Sequence, residues 1–228
     1  MRLARLNDAP EIFHSIQGEG FSQGIPCVFV RLALCNLACA WCDTAYSWNG
    51  SREPVELNSE VIAAMISKFP CRRLVVTGGE PLVQQKELAI LFALLPDFAI
   101  EMETNGTIIP DPAIVEAVSQ FNISPKLFHS GNDGERAICK DVLAWFAHKC
   151  GDKSWFKFVV ETEGDLVAVR QLMVDCRILQ NRVILMPQAQ TKSKLESARM
   201  SVVELCIKHN FRFSDRLHMT LWGERQGV

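Results

Sequence analysis

The chain has 228 residues, 48% of them hydrophobic, and a formal net charge of −2. A fold of this size buries roughly 70–75% of its unfolded surface and needs no covalent staples. The near-neutral charge argues against a phosphate-tracking face, and so for a small molecule rather than nucleic acid as partner. Met1 to Asp8 carry charge but no apolar run, and no stretch reaches the roughly 18 apolar residues of a membrane span. A cytoplasmic chain with neither signal peptide nor membrane contact is expected.

Short apolar runs alternate with helical periodicity along the chain. The runs Cys27–Leu32, Leu74–Thr77, Phe98–Glu103, Phe121–Ser124, Phe156–Glu161 and Arg182–Met186 read as strands. Several look apolar on both faces, as in buried parallel strands. Between them, Ile62, Met65, Ile66 and Phe69 share one helix face, and Leu88, Leu91, Phe92 and Leu95 another. Asp111 before Pro112 reads as an N-cap with proline at the first helical position. Further helices are expected over Asp141–Lys149, Glu163–Asp175 and Glu196–Lys208. This alternation implies a mostly parallel sheet of about six strands in an α/β fold. Periodicity leaves open an incomplete barrel or a doubly wound sheet. No repeat or linker divides the chain, so residues 1–228 read as one domain.

Polar or glycine-rich residues follow almost every strand: Cys35 onward, Thr77 to Glu80, Glu103 to Gly106, Ser124 to Lys126, Glu161, and Met186 to Gln188. The carboxyl ends of parallel strands carry the ligand site in α/β folds, so these segments should converge.

Nine cysteines, an odd number without a secretory leader, argue against a disulfide framework. Cys27, Cys71, Cys139, Cys150, Cys176 and Cys206 are scattered and read as small buried hydrophobes. Cys35, Cys39 and Cys42 fall within eight residues, in the loop after the first strong strand. Thiolates at this spacing suit an iron–sulfur cluster, and three of them leave one iron of a 4Fe–4S cube open for a ligand. Two alternatives stand beside this. A zinc site would recruit His14, His129 or His218 as fourth ligand, though no second pair of ligands at zinc-hook spacing exists. Plain core cysteines are the other.

Cys-x3-Cys-x2-Cys with Trp41 before the last cysteine resembles the signature of the radical S-adenosylmethionine superfamily. The resemblance implies that the open iron chelates the methionine moiety of S-adenosylmethionine, whose cleavage yields a 5′-deoxyadenosyl radical. Thr77-Gly78-Gly79-Glu80-Pro81 is a strand, a tight turn and a helix start. Two glycines there let the backbone approach a ligand. Alone this is an ordinary strand–helix connection. After the cysteine loop it is similar to the superfamily's Gly-Gly-Glu motif, in which a carboxylate such as Glu80 meets the methionyl ammonium. Glu101 and Glu103 share one face of a strand, with solvation the simplest role for one of them.

Further segments resemble one branch of that superfamily, the 7-carboxy-7-deazaguanine synthases. They are Glu11 to Gly20, Phe29 to Leu32, Cys35 to Thr44, Thr77 to Leu82, Glu103 to Thr107, Ser124 to Lys126, Lys157 to Val159, and Arg216 to Trp222, in order along nearly the whole chain. The resemblance implies a distorted, incomplete β/α barrel, usually a homodimer. It implies ring contraction of 6-carboxy-5,6,7,8-tetrahydropterin to 7-carboxy-7-deazaguanine with loss of ammonia, in 7-deazapurine and queuosine biosynthesis. A reductant such as flavodoxin or ferredoxin would supply electrons. It assigns S-adenosylmethionine to Trp41, Cys42, Asp43, Gly79, Glu80, Ser124, Pro125, Lys126 and Gln188. Magnesium falls to Thr44, and substrate to Ile16, Gln17, Gly18, Arg31, Thr77 and His218. Arg31 could also be a strand-end arginine covering apolar surface.

Two features depart from the family. The cysteine loop lacks the insertion some relatives carry, and ten residues follow His218 where some relatives end sooner with a carboxylate at the substrate. His129–Lys140 matches no family motif and reads as a surface loop. A glycyl-radical activase with a protein partner and a zinc-binding interaction module are the alternative functions. Neither accounts for the Gln17-Gly18-Glu19-Gly20 loop together with Arg31 and Thr44.

Overall fold

The computed structural model describes residues 1–228. Its N-terminus forms β1 (Arg2–Leu3), a small hairpin of β2 (Arg5–Leu6) and β3 (Ala9–Pro10), then β4 (Ile12–Ile16) and β5 (Pro26–Leu32). After the cysteine loop come β6 (Val55–Glu56), α1 (Ser59–Ile66), β7 (Arg73–Gly78), α2 (Gln85–Ala93), β8 (Ala99–Thr104), α3 (Pro112–Ala117) and β9 (Val118–Ile123). The second half runs α4 (Gly134–Ala137), α5 (Lys140–Lys149), β10 (Ser154–Val160), α6 (Asp165–Asp175), β11 (Val183–Pro187), α7 (Lys192–His209), β12 (Arg212–Phe213) and α8 (Leu217–Trp222).

Ten strands form one sheet in the order β12-β11-β10-β9-β8-β7-β5-β1-β6, with β4 also paired to β5. From β5 through β12 every neighbouring pair is parallel, while β4 and β1 run antiparallel to β5. The outer strands β6 and β12 do not pair, so the barrel does not close. The six expected strands lie in this parallel run. The antiparallel pieces are not among the expected strands: β1, β2, β3 and β6 have two residues each and carry no periodicity, and the five residues of β4 are half-buried without a clean alternation.

Of the expected strands, β11 is buried and apolar on both faces, whereas most of the others carry polar residues on one. Val28, Val30, Leu32, Leu74, Val76, Ile100, Met102, Phe121, Ile123, Phe156, Phe158 and Val160 belong to one 38-residue core, together with Ile62, Leu88, Ile114, Phe146, Val169 and Val202 from the helices. Their alternates, Phe29, Arg31, Thr77, Glu103, Asn122, Lys157, Val159 and Met186, line a cavity instead. Side chains two apart share a sheet face, so helices cover one face and the other turns toward the cavity. A doubly wound sheet would place helices on both.

The capping is partly as expected. Asn58 accepts from the Val61 N–H at 2.9 Å at the start of α1. Asp111 is the N-cap of α3, but its side chain accepts nothing from the helix, and Pro112 sets the first turn alone. No helix is long and apolar enough to cross a membrane.

Candidate active site

The strand ends converge. A cavity of about 380 Å³ is lined by Cys35, Cys39, Cys42, Gly79, Asn105, Ser124, Lys126 and Gln188 from the carboxyl ends of successive strands. Of the residues singled out from sequence, Ile16, Gln17, Gly18, Arg31, Trp41, Asp43, Thr44, Thr77 and His218 line it too. Glu80 and Pro125 do not.

Glu80 is fully buried, and its carboxylate accepts from Leu82 N–H at 3.1 Å, Thr104 Oγ1 at 2.8 Å and Asn105 N–H at 2.7 Å. Burial raises its pKa against the opposing pull of these donors. It pins the end of β8 to the turn after β7 and is not free to meet an ammonium group. The glycines there also serve the fold. Gly78 has φ +139°, and a Cβ on Gly79 would strike the Leu34 carbonyl. Gly79 N–H donates to Leu32 O at 3.1 Å and Glu80 N–H to Leu34 O at 2.8 Å, so the turn closes on the cysteine loop.

The three cysteines of the loop are partly exposed to the cavity. Burial pushes the Cys35 thiol up to about 11 and raises that of Cys39. Each sulfur accepts one N–H: Cys35 from Leu37 at 3.4 Å, Cys39 from Asn132 Nδ2 at 3.2 Å, and Cys42 from Trp48 Nε1 at 3.3 Å. No three His, Cys, Asp or Glu side chains converge tightly enough to hold one metal ion. Mononuclear zinc therefore lacks a donor set, whereas a cubane spreads three thiolates over three irons. Of the six other cysteines, Cys27, Cys150, Cys176 and Cys206 are buried as expected, but Cys71 and Cys139 are partly exposed.

Trp41 is fixed by its indole N–H, which meets both Nδ1 and O of His129 at 3.0 Å. Lys126 donates to Ser124 Oγ at 2.9 Å and lies 5.5 Å from the Trp41 ring centroid. Gln188 N–H donates to Val160 O at 3.0 Å, holding the end of β11 against β10.

Another part of the wall is charged and reaches the cysteine loop at Asp43. Glu19 pairs with Lys157 Nζ at 2.5 Å and Arg216 Nε at 2.8 Å, and Arg216 also pairs with Asp43 and donates to Ala189 O. Burial alone would raise the Glu19 carboxyl, but Lys157, Arg216 and His218 together hold it well below the usual carboxylate range. Burial lowers His218, against the pull of Glu19 at 3.9 Å. A Cβ on Gly18 would strike the His218 ring, so this glycine is set by packing.

Arg31 Nε donates to Glu11 at 2.8 Å, and Tyr46 OH donates to the same carboxylate at 2.9 Å. The two terminal nitrogens of Arg31 have no protein acceptor. Neither Glu101 nor Glu103 is solvated as a free pair. Glu101 accepts from Gln17, Ser22, Arg73 and Asn122, and Glu103 accepts from Thr77 Oγ1 at 2.7 Å and Gln17 at 3.1 Å.

Glu11, Tyr46, Trp48, Lys157 and Arg216 had no role from sequence reasoning. Lys157 carried a signal, since a lysine between Phe156 and Phe158 in a buried strand needs a partner. The tail from Gly223 to Val228 also lines the cavity, so these residues are part of its wall.

Residues 31–129, from the cysteine loop through the strand ends beyond it, match the model of the radical SAM superfamily. The whole chain resembles proteins of narrower description. It is 37% identical over 224 residues to a 7-carboxy-7-deazaguanine synthase of Pyrobaculum aerophilum, covering 95% of each chain. It is 34% identical over 235 residues to that of Halobacterium salinarum, covering 94% of this chain and 90% of the other. The crystal structure of QueE from Escherichia coli superposes with a TM-score of 0.67 at 25% identity, covering 95% of this chain and 94% of that one. The chain belongs to the 7-carboxy-7-deazaguanine synthase family.

Proposed function

We propose that this protein is a radical S-adenosylmethionine enzyme that contracts 6-carboxy-5,6,7,8-tetrahydropterin to 7-carboxy-7-deazaguanine with release of ammonia, in 7-deazapurine and queuosine biosynthesis. The observation that carries the reading is the convergence on one cavity of three cysteine thiols with the Gly78-Gly79 turn, facing the substrate-loop residues Gln17 and Gly18. The relatives favour this over the activase alternative.

Cys35, Cys39 and Cys42 would hold the 4Fe–4S cluster. With S-adenosylmethionine bound to it, the cluster supplies a 5′-deoxyadenosyl radical for hydrogen abstraction from the substrate. The chain's own residues orient and enclose the reactants. Trp41, Cys42, Asp43, Gly79, Ser124 and Gln188 would receive S-adenosylmethionine, with Pro125 acting only by shaping the Ser124–Lys126 turn. Lys126 offers a cation to its carboxylate. Glu80 acts at one remove, by fixing the turn that carries Gly79.

On the substrate side, the free terminal nitrogens of Arg31 suit a bidentate contact with the pterin carboxylate. Gln17, Gly18, Ile16, Thr77 and His218 line the space for the ring. For magnesium the chain offers the Thr44 hydroxyl, 3.7 Å from Cys42 Sγ, and the other ligands would come from substrate and water. The incomplete barrel of the superfamily, a single domain over residues 1–228, a homodimeric assembly and an electron donor such as flavodoxin or ferredoxin complete the proposal. The open parallel sheet with helices on one face supports the barrel part of it.

The test is anaerobic turnover of reconstituted protein with reductant, S-adenosylmethionine, magnesium and 6-carboxytetrahydropterin, read by mass spectrometry. 7-Carboxy-7-deazaguanine formed only in the complete mixture is the expected result. Release of 5′-deoxyadenosine without that product would overturn the substrate, and neither product would overturn the chemistry.

A further inference from the structure

The segment after β9 does not behave as a free surface loop. Ser130 O accepts the Ala40 N–H at 2.9 Å, and Asn132 Oδ1 accepts the Ala38 N–H at 2.9 Å. The loop thus grips the backbone on both sides of Cys39. The Ala38 N–H can only be met by an oxygen, which fixes the orientation of the Asn132 amide. Its Nδ2 therefore faces Cys39 Sγ at 3.2 Å and Ser130 Oγ at 3.2 Å. Asp133 accepts the Glu135 N–H at 3.1 Å as N-cap of α4, which anchors the loop from the far side.

A second side chain makes the same kind of contact from another direction. Trp48 Nε1 lies 3.3 Å from Cys42 Sγ, and an indole nitrogen can only donate. Cys35 takes its donor from the backbone N–H of Leu37 at 3.4 Å. Each of the three sulfurs thus has one N–H aimed at it, and two of these come from side chains outside the cysteine motif.

We propose that Asn132 and Trp48 are positioning residues that set the reduction potential of the cluster through N–H···S bonds to Cys39 and Cys42. The inference rests on the assignment of a 4Fe–4S cluster to Cys35, Cys39 and Cys42. A donor on a thiolate stabilises the more negative, reduced cluster, and hydrogen bonds to the sulfurs are one of the protein's main controls on potential. Asn132 has a second task, since its oxygen also holds the loop before any metal binds.

The experiment compares wild type, Trp48→Phe and Asn132→Ala by redox titration and electron paramagnetic resonance after anaerobic reconstitution. Trp48→Phe keeps an aromatic ring and removes the donor. At equal iron and sulfide per chain, each variant should shift the reduction equilibrium toward the oxidised cluster by up to about tenfold, about 59 mV for one electron, with altered g-values. In the metal-free protein, Asn132→Ala should speed amide exchange at Ala38, whereas Trp48→Phe should not. Wild-type potentials and g-values in both variants at full loading would overturn the proposal. Should Asn132→Ala fail to load, Trp48→Phe decides. A wild type that binds no iron and sulfide would overturn the cluster assignment itself, a distinct result.

Discussion

The two sides of the cavity are held in different ways. On the cysteine side most contacts are hydrogen bonds between uncharged groups, with the buried Glu80 carboxylate behind the turn: Gly79 and Glu80 N–H on Leu32 and Leu34, Ala40 on Ser130, and one N–H on each sulfur. Elsewhere on the wall, Lys157, Glu19 and Arg216, from β10, the N-terminal loop and the start of α8, form a chain of buried charges that ends on the exposed Asp43 beside Cys42. Hydrogen bonds between neutral groups are largely indifferent to pH, whereas paired buried charges depend on every member's protonation state. The first side is expected to stay folded when its thiols are removed. The second cannot lose one ion without stranding another.

The sharpest way to break the comparison is to remove thiols. Replacing Cys35, Cys39 or Cys42 with alanine should abolish cluster assembly and turnover while leaving the thermal unfolding midpoint of the metal-free protein nearly unchanged, because the thiols are partly exposed and pack little. Iron and sulfide analysis beside calorimetry checks this. Full iron loading in the triple variant would remove the ligand assignment.

Removing a charge on the other side should do the reverse. Arg216→Ala leaves Glu19 and Asp43 without their shared partner, and loss of one member of a buried pair costs about 3–5 kcal/mol. Urea unfolding of the metal-free protein reads it directly. The pH dependence has a definite sign. Glu19 in the folded protein titrates below its unfolded value, so its stabilisation is present above the ordinary carboxylate range and is lost as pH falls through the folded value. His218 is likewise lowered, so a smaller loss begins below its unfolded value of about 6.5. The wild type should lose stability in two stages on acidification, and Glu19→Gln should weaken the lower one, leaving the part that Asp43 contributes through Arg216. A single-stage profile shared by both proteins would show that the charges are not coupled to folding.

The same division explains what the sequence disclosed. The cysteine side was legible because its parts are local: three thiols in one loop and two glycines in one turn, each at the end of an apolar run. Their residue types announce the chemistry. What reached the far side was only position, for instance Gln17 and His218 within recognisable segments. The Glu19–Arg216 bond spans 197 residues in sequence, and no periodicity reports such a pairing. Glu80 misled for a related reason. A carboxylate beside two glycines at a strand end suggests a ligand contact, yet this one satisfies three donors within the fold. Sequence gives a carboxylate's place along the chain, while its partners depend on the loops that pack around it.

Arg31 is where the two sides meet, and its substitution sharpens the boundary between them. Its Nε belongs to the fold through Glu11, and its terminal nitrogens face the cavity. Arg31→Ala would confuse the two roles by leaving buried Glu11 with Tyr46 alone. Arg31→Lys keeps a cation for Glu11 but loses the planar fork that matches a carboxylate. The expected result is a KM for the carboxypterin raised about tenfold or more, the loss of roughly one charge-assisted hydrogen bond, with S-adenosylmethionine affinity and the unfolding midpoint little changed. A raised unfolding sensitivity with unchanged KM would place Arg31 wholly with the buried charges. The substrate carboxylate would then need another cation, and Lys157, which lines the cavity and gives Glu19 one of its three N–H donors, could supply it.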